Sequence, residues 1–470
     1  MKRSSPGRKA RIAVAGLITS VLVLTAAACG TSSATSNGKQ VLTVAYGSDF
    51  VFITPQLATK WWNTVAQEFE AKYPDVTVRF TPIPGGYSDI VTKLNLLYRS
   101  PSTAPDVAEL PSGQFGSWIQ SGYLLPLDRY LPSAPWWKRF PVSVQQETTY
   151  NGRVYGVNHG ENTNALYYNM PMFRKAGLPV PWQPKTWNDI LAAARRIRAT
   201  QPNVWPVWLQ GGTAGGTISI QYNGGNLLLG SSNPAIFDAK TQKWVIDSPG
   251  LRETFAFYSA LAKSGLQAPA AQLLDPNATV NSFQLMAEQK IGIAISGNFL
   301  GSAWVPQVCG PCWPAGPRTY GVAPLPTVNG TGQPNAASSL GGWELAIGTT
   351  TPHPSLAWDF IQVAQQRVNM IDASNWAGWV PPDREYWSDP LFANFAPPYN
   401  RFFAHLLPIS RAQPNTSDFT VWGTGFNIAT GAIIQDPSMS VSAATQTMGS
   451  YISGQLISGE LGSRHVVSLP

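Results

Sequence analysis

Apolar and polar positions alternate with two different periods along the front of the chain. Val41 to Tyr46 alternates in steps of two, which predicts a strand. Trp61, Trp62, Val65 and Phe69 recur at helical spacing, and Pro74 stops that run. Val76, Val78 and Phe80 alternate again. Asp89 is placed to cap a helix carrying Ile90, Leu94 and Leu97, and Ala104-Pro105-Asp106-Val107 begins the next strand. Strand and helix in repeated order predict a parallel sheet with helices on its faces. In such sheets ligands sit at the carboxyl ends of the strands.

Residues 151–190 add three unlike elements. Asn151-Gly152 is a hairpin turn with apolar residues on either side. Ala165-Leu166-Tyr167-Tyr168 is a short aromatic-rich run that fits a buried strand. Thr186-Trp187-Asn188-Asp189 starts a helix, and Trp187, Ile190, Leu191, Ala194 and Ile197 continue it at helical spacing. Ile291–Ile295 reads as a further strand.

The ends change how composition is read. Lys2, Arg3, Arg8, Lys9 and Arg11 precede an apolar stretch from Ile12 to Leu24, and Ala26-Ala27-Ala28 ends at Cys29. This is an export signal. Its end resembles a bacterial lipobox, with Ala26 where an aliphatic residue is usual. Cys29 is therefore expected to carry lipid and to hold the protein on the outer face of the cell membrane. The alternative is an ordinary secreted protein. Residues 1–28 form the signal and 29–40 a small, polar tether. Without the signal, the formal charge of +7 falls to +2, 27 basic against 25 acidic residues. No basic stripe remains, so no nucleic-acid partner is expected. The mature part is too long for one core and suggests two lobes.

Cys309 and Cys312 form Cys-Gly-Pro-Cys, the active-site string of thioredoxins. That chemistry needs a helix N-terminus at the first Cys. Trp313-Pro314-Ala315-Gly316-Pro317 forbids a regular helix there, so a tight structural disulfide is expected instead. With four His in the chain, no metal site is expected, and no cofactor.

The order hairpin, strand, short helix, Pro-rich loop, capped helix is similar to the hinge-side segment of the type 1 extracellular solute-binding proteins that serve ABC importers. Gly152, Tyr155-Gly156, Tyr167-Tyr168-Asn169, Phe173, Ala176-Gly177-Leu178, Pro184 and Thr186-Trp187 fit that pattern. Colinear matches follow, among them Pro105-Asp106-Val107, Pro126-Leu127-Asp128, Gly341-Gly342, Ala357-Trp358-Asp359-Phe360-Ile361 and Gly378-Trp379-Val380-Pro381. They span about residues 42–395. The resemblance implies an α/β fold of two lobes, periplasmic-binding-protein-like, each a mainly parallel sheet flanked by helices, with the ligand cleft at the hinge. It divides the chain into an N-terminal lobe of 41–155 plus 321–348 and a C-terminal lobe of 156–320 plus 349–470. It implies a monomer that is not an enzyme, captures a carbohydrate-type solute (a mono- or oligosaccharide, or a glycerophosphodiester) and meets ABC permease subunits.

Sugars suit a cleft of flat aromatic faces and a few fixed polar groups. The chain has 18 Trp, nearly as many as its 19 Phe, which favours such a ligand, although most Trp fill cores. Trp205 and Trp208 precede a polar run, Gln210–Asn226, and paired Trp occupy a similar place in glycerophosphodiester-binding members; an edge strand would also give two nearby Trp. Asn162 is the best of the polar group Glu161, Asn162 and Asn164 in a hinge loop. Tyr87 stands at a family contact position. Ser112 and Gln114 follow one strand, and Ser296 and Asn298 another, so all four are expected at carboxyl ends. Gly341 and Gly342 could let the backbone approach a ligand closely, and Trp343 follows them. Trp376 and Trp379 flank Gly378, and Trp379 replaces an aromatic that contacts ligand in relatives. Arg411 is the charged candidate for an acidic ligand, against a solvated surface role. The competing reading is an exported hydrolase, for which Glu161, in the expected cleft, is the carboxyl to watch. A redox protein would rest on Cys309 and Cys312 alone.

Overall fold

Strand Lys39–Gly47 pairs in parallel with Val76–Ile83 on one side, Gln40 opposite Val76 and Gly47 opposite Ile83, and with Val107–Pro111 on the other. The helices between these strands are Pro55–Lys72 and Tyr87–Tyr98. This computed structural model describes residues 35–36, 38–48, 55–216, 219–238, 240–308, 313–332, 334–396, 398–414, 416, 418–458 and 466–469. The export signal, Cys29, Cys309 and Cys312 lie outside the described residues.

The expected βαβα order is present, but each sheet is mixed rather than mainly parallel. Gly341–Ile347 returns from the far end of the sequence and lies antiparallel to both Val107–Pro111 and Gly156–Asn162. Its register slips by a bulge between Trp343 and Glu344. The second sheet runs in the order Tyr320–Ala323, Asn164–Asn169, Ile291–Gly297, Trp205–Trp208. Asn164–Asn169 is antiparallel to both neighbours, and only Ile291–Gly297 and Trp205–Trp208 are parallel.

The packing of elements differs from the expected division at three places, the first being Tyr320–Ala323, which was expected with the N-terminal lobe from residue 321 but pairs with Asn164–Asn169 of the second sheet. Gly156–Asn162 pairs along its length with Gly341–Ile347, so the chain first leaves the first sheet at Thr163 rather than near Tyr155. Helices Pro354–Ala364 and Arg367–Ala377 pack on Pro55–Lys72 of the first half. Phe419–Gln435 and Val441–Ser458 pack on Pro249–Lys263 of the second.

Aromatic side chains tie these layers together. Trp62 is fully buried. It stacks on Tyr46 at 5.1 Å and lies parallel to Phe360 at 6.2 Å, so one ring joins strand, helix and returning helix. The local signals hold as well. Asn151 (φ 48°) and Gly152 (φ 74°) take the left-handed pair that a type I′ hairpin needs. Asp189 Oδ2 accepts from the Thr186 N–H at 3.0 Å, fixing the start of Trp187–Thr200.

Candidate functional site

A cavity of about 500 Å³ lies where the two halves face each other, within the range of small-molecule sites. The first half contributes Tyr87, Ser112, Asn162, Gly342, Trp343 and Trp379 to its lining. The second contributes Gln221, Tyr222, Asn277, Thr279 and Phe299. The only charged lining residue is Asp89, and no lysine or arginine lines the cavity among the described residues.

Local structure fixes each of these groups. Gly85 (φ 105°) turns the chain so that Tyr87 opens its helix. A Cβ on Gly113 would come within 2.9 Å of the Tyr87 hydroxyl, so that ring lies over the turn after strand Val107–Pro111. Ser112 Oγ accepts from the Gly342 N–H at 2.9 Å and keeps its own proton to donate. Asn162 is 4% exposed, and its Oδ1 has no hydrogen-bond partner among the described residues. A buried acceptor without a partner on a cavity wall is a group that a ligand hydroxyl would satisfy. Trp343 and Trp379 lie roughly parallel, 29° apart at 6.5 Å. Tyr222 and Phe299 meet edge to face at 5.0 Å. Tyr222 comes from an irregular turn, Ile220–Gly224, with π-type hydrogen bonding.

Six of the sequence candidates therefore converge: Tyr87, Ser112, Asn162, Gly342, Trp343 and Trp379. The others do not line the cavity. Trp205 and Trp208 stand on the edge strand of the second sheet, 6.0 Å from each other; Trp208 is 1% exposed and Trp205 is half-buried. Ser296 pairs with Ala165 inside its sheet. Asn298 ties together the segment where the chain leaves the first sheet: Oδ1 accepts from the Thr163 N–H at 2.9 Å, and Nδ2 donates to the Glu161 and Gly378 carbonyls at 3.2 and 2.5 Å. The strand-end argument placed this segment correctly, but Phe299, one residue on, reaches the wall instead. Gln114 ends a short 3-10 turn away from the cavity. Arg411 is exposed, and its backbone bridges to Ser339 and Ser338. Trp376 is buried beside Trp379. Packing by itself requires glycine at Gly341 and Gly342. A Cβ on Gly341 would strike the Gln221 amide, and one on Gly342 the Gly160 carbonyl.

Gln221, Tyr222, Asn277, Thr279 and Phe299 were not expected. The polar run Gln210–Asn226 was visible, but the two Trp before it carried the stronger aromatic signal.

Under the cavity floor the first sheet buries Glu109, Glu161 and Glu344, with Glu147 from helix Val142–Glu147 beside them. Burial lifts Glu109 to about 8, partly opposed by the Gly47 N–H. Burial also lifts Glu161 to about 7, offset by Glu147 and Asn158. Glu147 and Glu344 are held well above the usual carboxylate range, by burial first and then by Glu161. Burial lowers His159 to about 3, so its 3.8 Å approach to Glu109 joins two neutral groups at neutral pH rather than an ion pair. The carboxyls whose affinity for protons is raised in the folded state stabilise the fold fully below about pH 4.5, and that contribution is lost as pH rises through 7 and 8. His159 is neutral in both states above pH 6.5 and drops out there. The thermal midpoint is thus expected to fall steadily from pH 6.5 to 8.5, and Glu109→Gln should flatten the fall. A midpoint that is level or rises over that interval, in scans of both proteins, would contradict this assignment.

The carboxyl that a hydrolase would use, Glu161, is fully buried and does not line the cavity.

Comparison with known proteins follows the same lines. The sequence profile of the bacterial extracellular solute-binding proteins matches residues 55–369. A binding protein of Brucella abortus is 23% identical over 355 residues, 75% of this chain and 80% of the relative. Maltose-bound MalE3 of T. maritima superposes with a TM-score of 0.71 at 18% identity, covering 88% of this chain and 99% of that one. UgpB of Mycobacterium tuberculosis, in complex with glycerophosphocholine, superposes at 0.69 with 18% identity, covering 88% and 98%.

Proposed function

The chain belongs to the bacterial extracellular solute-binding proteins, and from that membership we propose that it captures a carbohydrate-type solute between its two halves and delivers it to the permease of an ABC importer. The observation that carries this reading is the cavity wall. Aromatic faces from both halves, Tyr87, Trp343 and Trp379 against Tyr222 and Phe299, surround uncharged polar groups, and Asn162 Oδ1 waits for a donor. Ring faces suit the C–H surfaces of a pyranose, and Ser112, Asn162, Gln221 and Thr279 suit its hydroxyls. Two relatives of the same fold are described with maltose and with glycerophosphocholine. A wall on which none of the described residues is a lysine or an arginine favours the carbohydrate over the phosphodiester, because a buried phosphate needs charge-assisted donors.

Binding through both halves makes closure part of the mechanism. A solute held by Trp343 and Tyr222 together stabilises the arrangement in which the halves are near, and that arrangement is what a permease would read. Asn298, which ties Thr163 to Glu161 and Gly378, lies where such a motion must bend. Selectivity follows from leaving a buried acceptor unpaired with the wrong solute. The reading includes no turnover. It also includes a lipid on Cys29 and a disulfide between Cys309 and Cys312, which mass spectrometry of the exported protein would register. No helix among the described residues is long and apolar enough to cross a membrane.

A thermal-shift series of the mature chain against mono-, di- and oligosaccharides and glycerophosphodiesters tests the proposal. A ligand of the native state raises the midpoint with its concentration. A rise with saccharides is expected. A rise with phosphodiesters alone, or sugar products accumulating in the wells, would overturn it.

A further inference from the structure

The second sheet has two ends of different character. Its register sets Asn164 against Gly297 at one end and Asn169 against Tyr320 at the other. Asn164 and Gly297 lie two residues from Asn162 and Phe299, so their end faces the cavity. The opposite end points away from it. Helix Met170–Lys175 leaves from that far end, Gly316–Thr319 arrives there, and Trp187–Thr200 ends a few residues before Trp205, which pairs with Ile291.

Basic side chains gather on this far end. Arg174 and Lys175 close the first of these helices, Arg195, Arg196 and Arg198 stand in the last turns of Trp187–Thr200, and Arg318 stands on Gly316–Thr319. All but Arg198 are exposed. The helices are fastened together, since Met170–Lys175 packs against both of the others. Gln201 Nε2 donates to the Met172 carbonyl at 3.1 Å. Arg196 lies over the turn at Gly177, where a Cβ would come within 3.1 Å of its Nη2. Lys290 borders the same end, directly before Ile291, and its acidic neighbour Glu288 accepts from Gln284 at 2.8 Å.

The excess is also plain along the chain. Between Glu161 and Asp238 there are six basic residues and one acidic, Asp189, whose carboxylate fixes a helix start. None of these basic side chains forms an ion pair among the described residues. Cations in a last helical turn suit the helix dipole, and Arg198 is used in that way. It donates to the Gly265 carbonyl at 3.1 and 2.7 Å and to the Pro202 carbonyl at 2.8 Å. Arg195, Arg196 and Arg318 have no such carbonyl among the described residues. The far end of the first sheet is balanced instead, with Glu70 and Asp75 beside Lys39 and Lys72.

Exposed like charges without counter-charges attract an anionic surface. Guanidinium forks match phosphate oxygens in particular. Exposed groups spread over three helices suit an array of phosphates better than one buried ion. The export signal delivers the chain to the outer side of a membrane, and contact at this end leaves the cavity free.

We propose that this basic end of the second half docks on the headgroups of anionic phospholipids. The inference stands whichever solute the cavity takes, and whether or not Cys29 carries lipid.

Cosedimentation of the whole mature chain, made without lipid, with vesicles tests the proposal. The vesicles are phosphatidylcholine alone and an equal mixture of phosphatidylcholine and phosphatidylglycerol. At about 50 mM salt the mixed vesicles are expected to bind about tenfold or more tighter, and at about 500 mM the difference should vanish. Arg195→Glu with Arg196→Glu, and separately Arg174→Glu with Lys175→Glu, should each weaken binding to the mixed vesicles about tenfold or more. Lys39→Glu with Lys72→Glu makes the same change of charge at the far end of the first sheet and should weaken it less than about threefold. Thermal midpoints of the variants report their folding, and the vesicle and salt series needs only the unaltered protein. Equal binding to both vesicles, binding to neither, or an equal loss from the first-sheet variant would overturn the inference. Equally tight, salt-sensitive binding to poly-L-glutamate would overturn the choice of lipid in favour of an acidic protein. Each of these outcomes leaves the solute reading where it stands.

Discussion

Trp343→Ala is expected to reduce solute affinity by roughly 30- to 1000-fold, the loss of about 2–4 kcal/mol that truncating a buried aromatic anchor brings. The size follows from where the ring stands. Trp343 lies beside the bulge of the central returning strand, roughly parallel to Trp379. Removing it takes away one stacking face and floods the floor beside Asn162 and Ser112 with water. Trp343 is 7% exposed, so some stability goes with it. Trp343→Phe separates the two effects: it retains a flat face and most of the packing and should keep affinity within about tenfold. Calorimetric titration beside thermal scans reads both. Wild-type affinity in a folded Trp343→Ala protein would remove Trp343 from the site.

The second large effect is one of stability. Trp208→Ala is expected to cost about 3–5 kcal/mol of folding free energy, because a fully enclosed ring is replaced by a cavity. Trp208 is 1% exposed in the edge strand that pairs with Ile291–Gly297. The folded fraction should still bind solute within two- or threefold of wild type. Denaturant titration and solute titration of the same preparation decide this. Unchanged stability with lost affinity would return Trp208 to the binding site and remove the packing account.

These two tryptophans show how much of the site could be read from sequence. Local signals did well where local physics decides. The type I′ pair Asn151-Gly152 and the Thr186–Asp189 cap are as expected because turn and cap chemistry is settled within four residues. Carboxyl-end reasoning placed Ser112 on the wall, because its strand runs into an open crevice. The same reasoning did not place Ser296 on the wall, where a residue of the strand itself remains paired within the sheet, nor Asn298, whose amide is taken up by Thr163, Glu161 and Gly378. Trp205 and Trp208 carried a strong aromatic signal, yet nothing in their spacing tells an edge strand from a ligand platform. Tyr222 depends on an irregular turn and Phe299 on a four-residue helix, and neither has a periodic signature. The mixed sheets were hidden for a related reason. Gly341–Ile347 joins a sheet whose other strands are far away in sequence, and register over that distance is set by tertiary packing.

The central claim is that solute binds between the two halves against Trp343, Asn162 and Tyr222. Hydrogen exchange measured by mass spectrometry, with and without the saccharide that raises the thermal midpoint most, tests it directly. The account predicts that slowed exchange concentrates in segments 85–90, 220–224, 277–280 and 341–343, from both halves at once. Protection confined to one half, or centred on the groove by Arg252 and Thr445 instead, would contradict it.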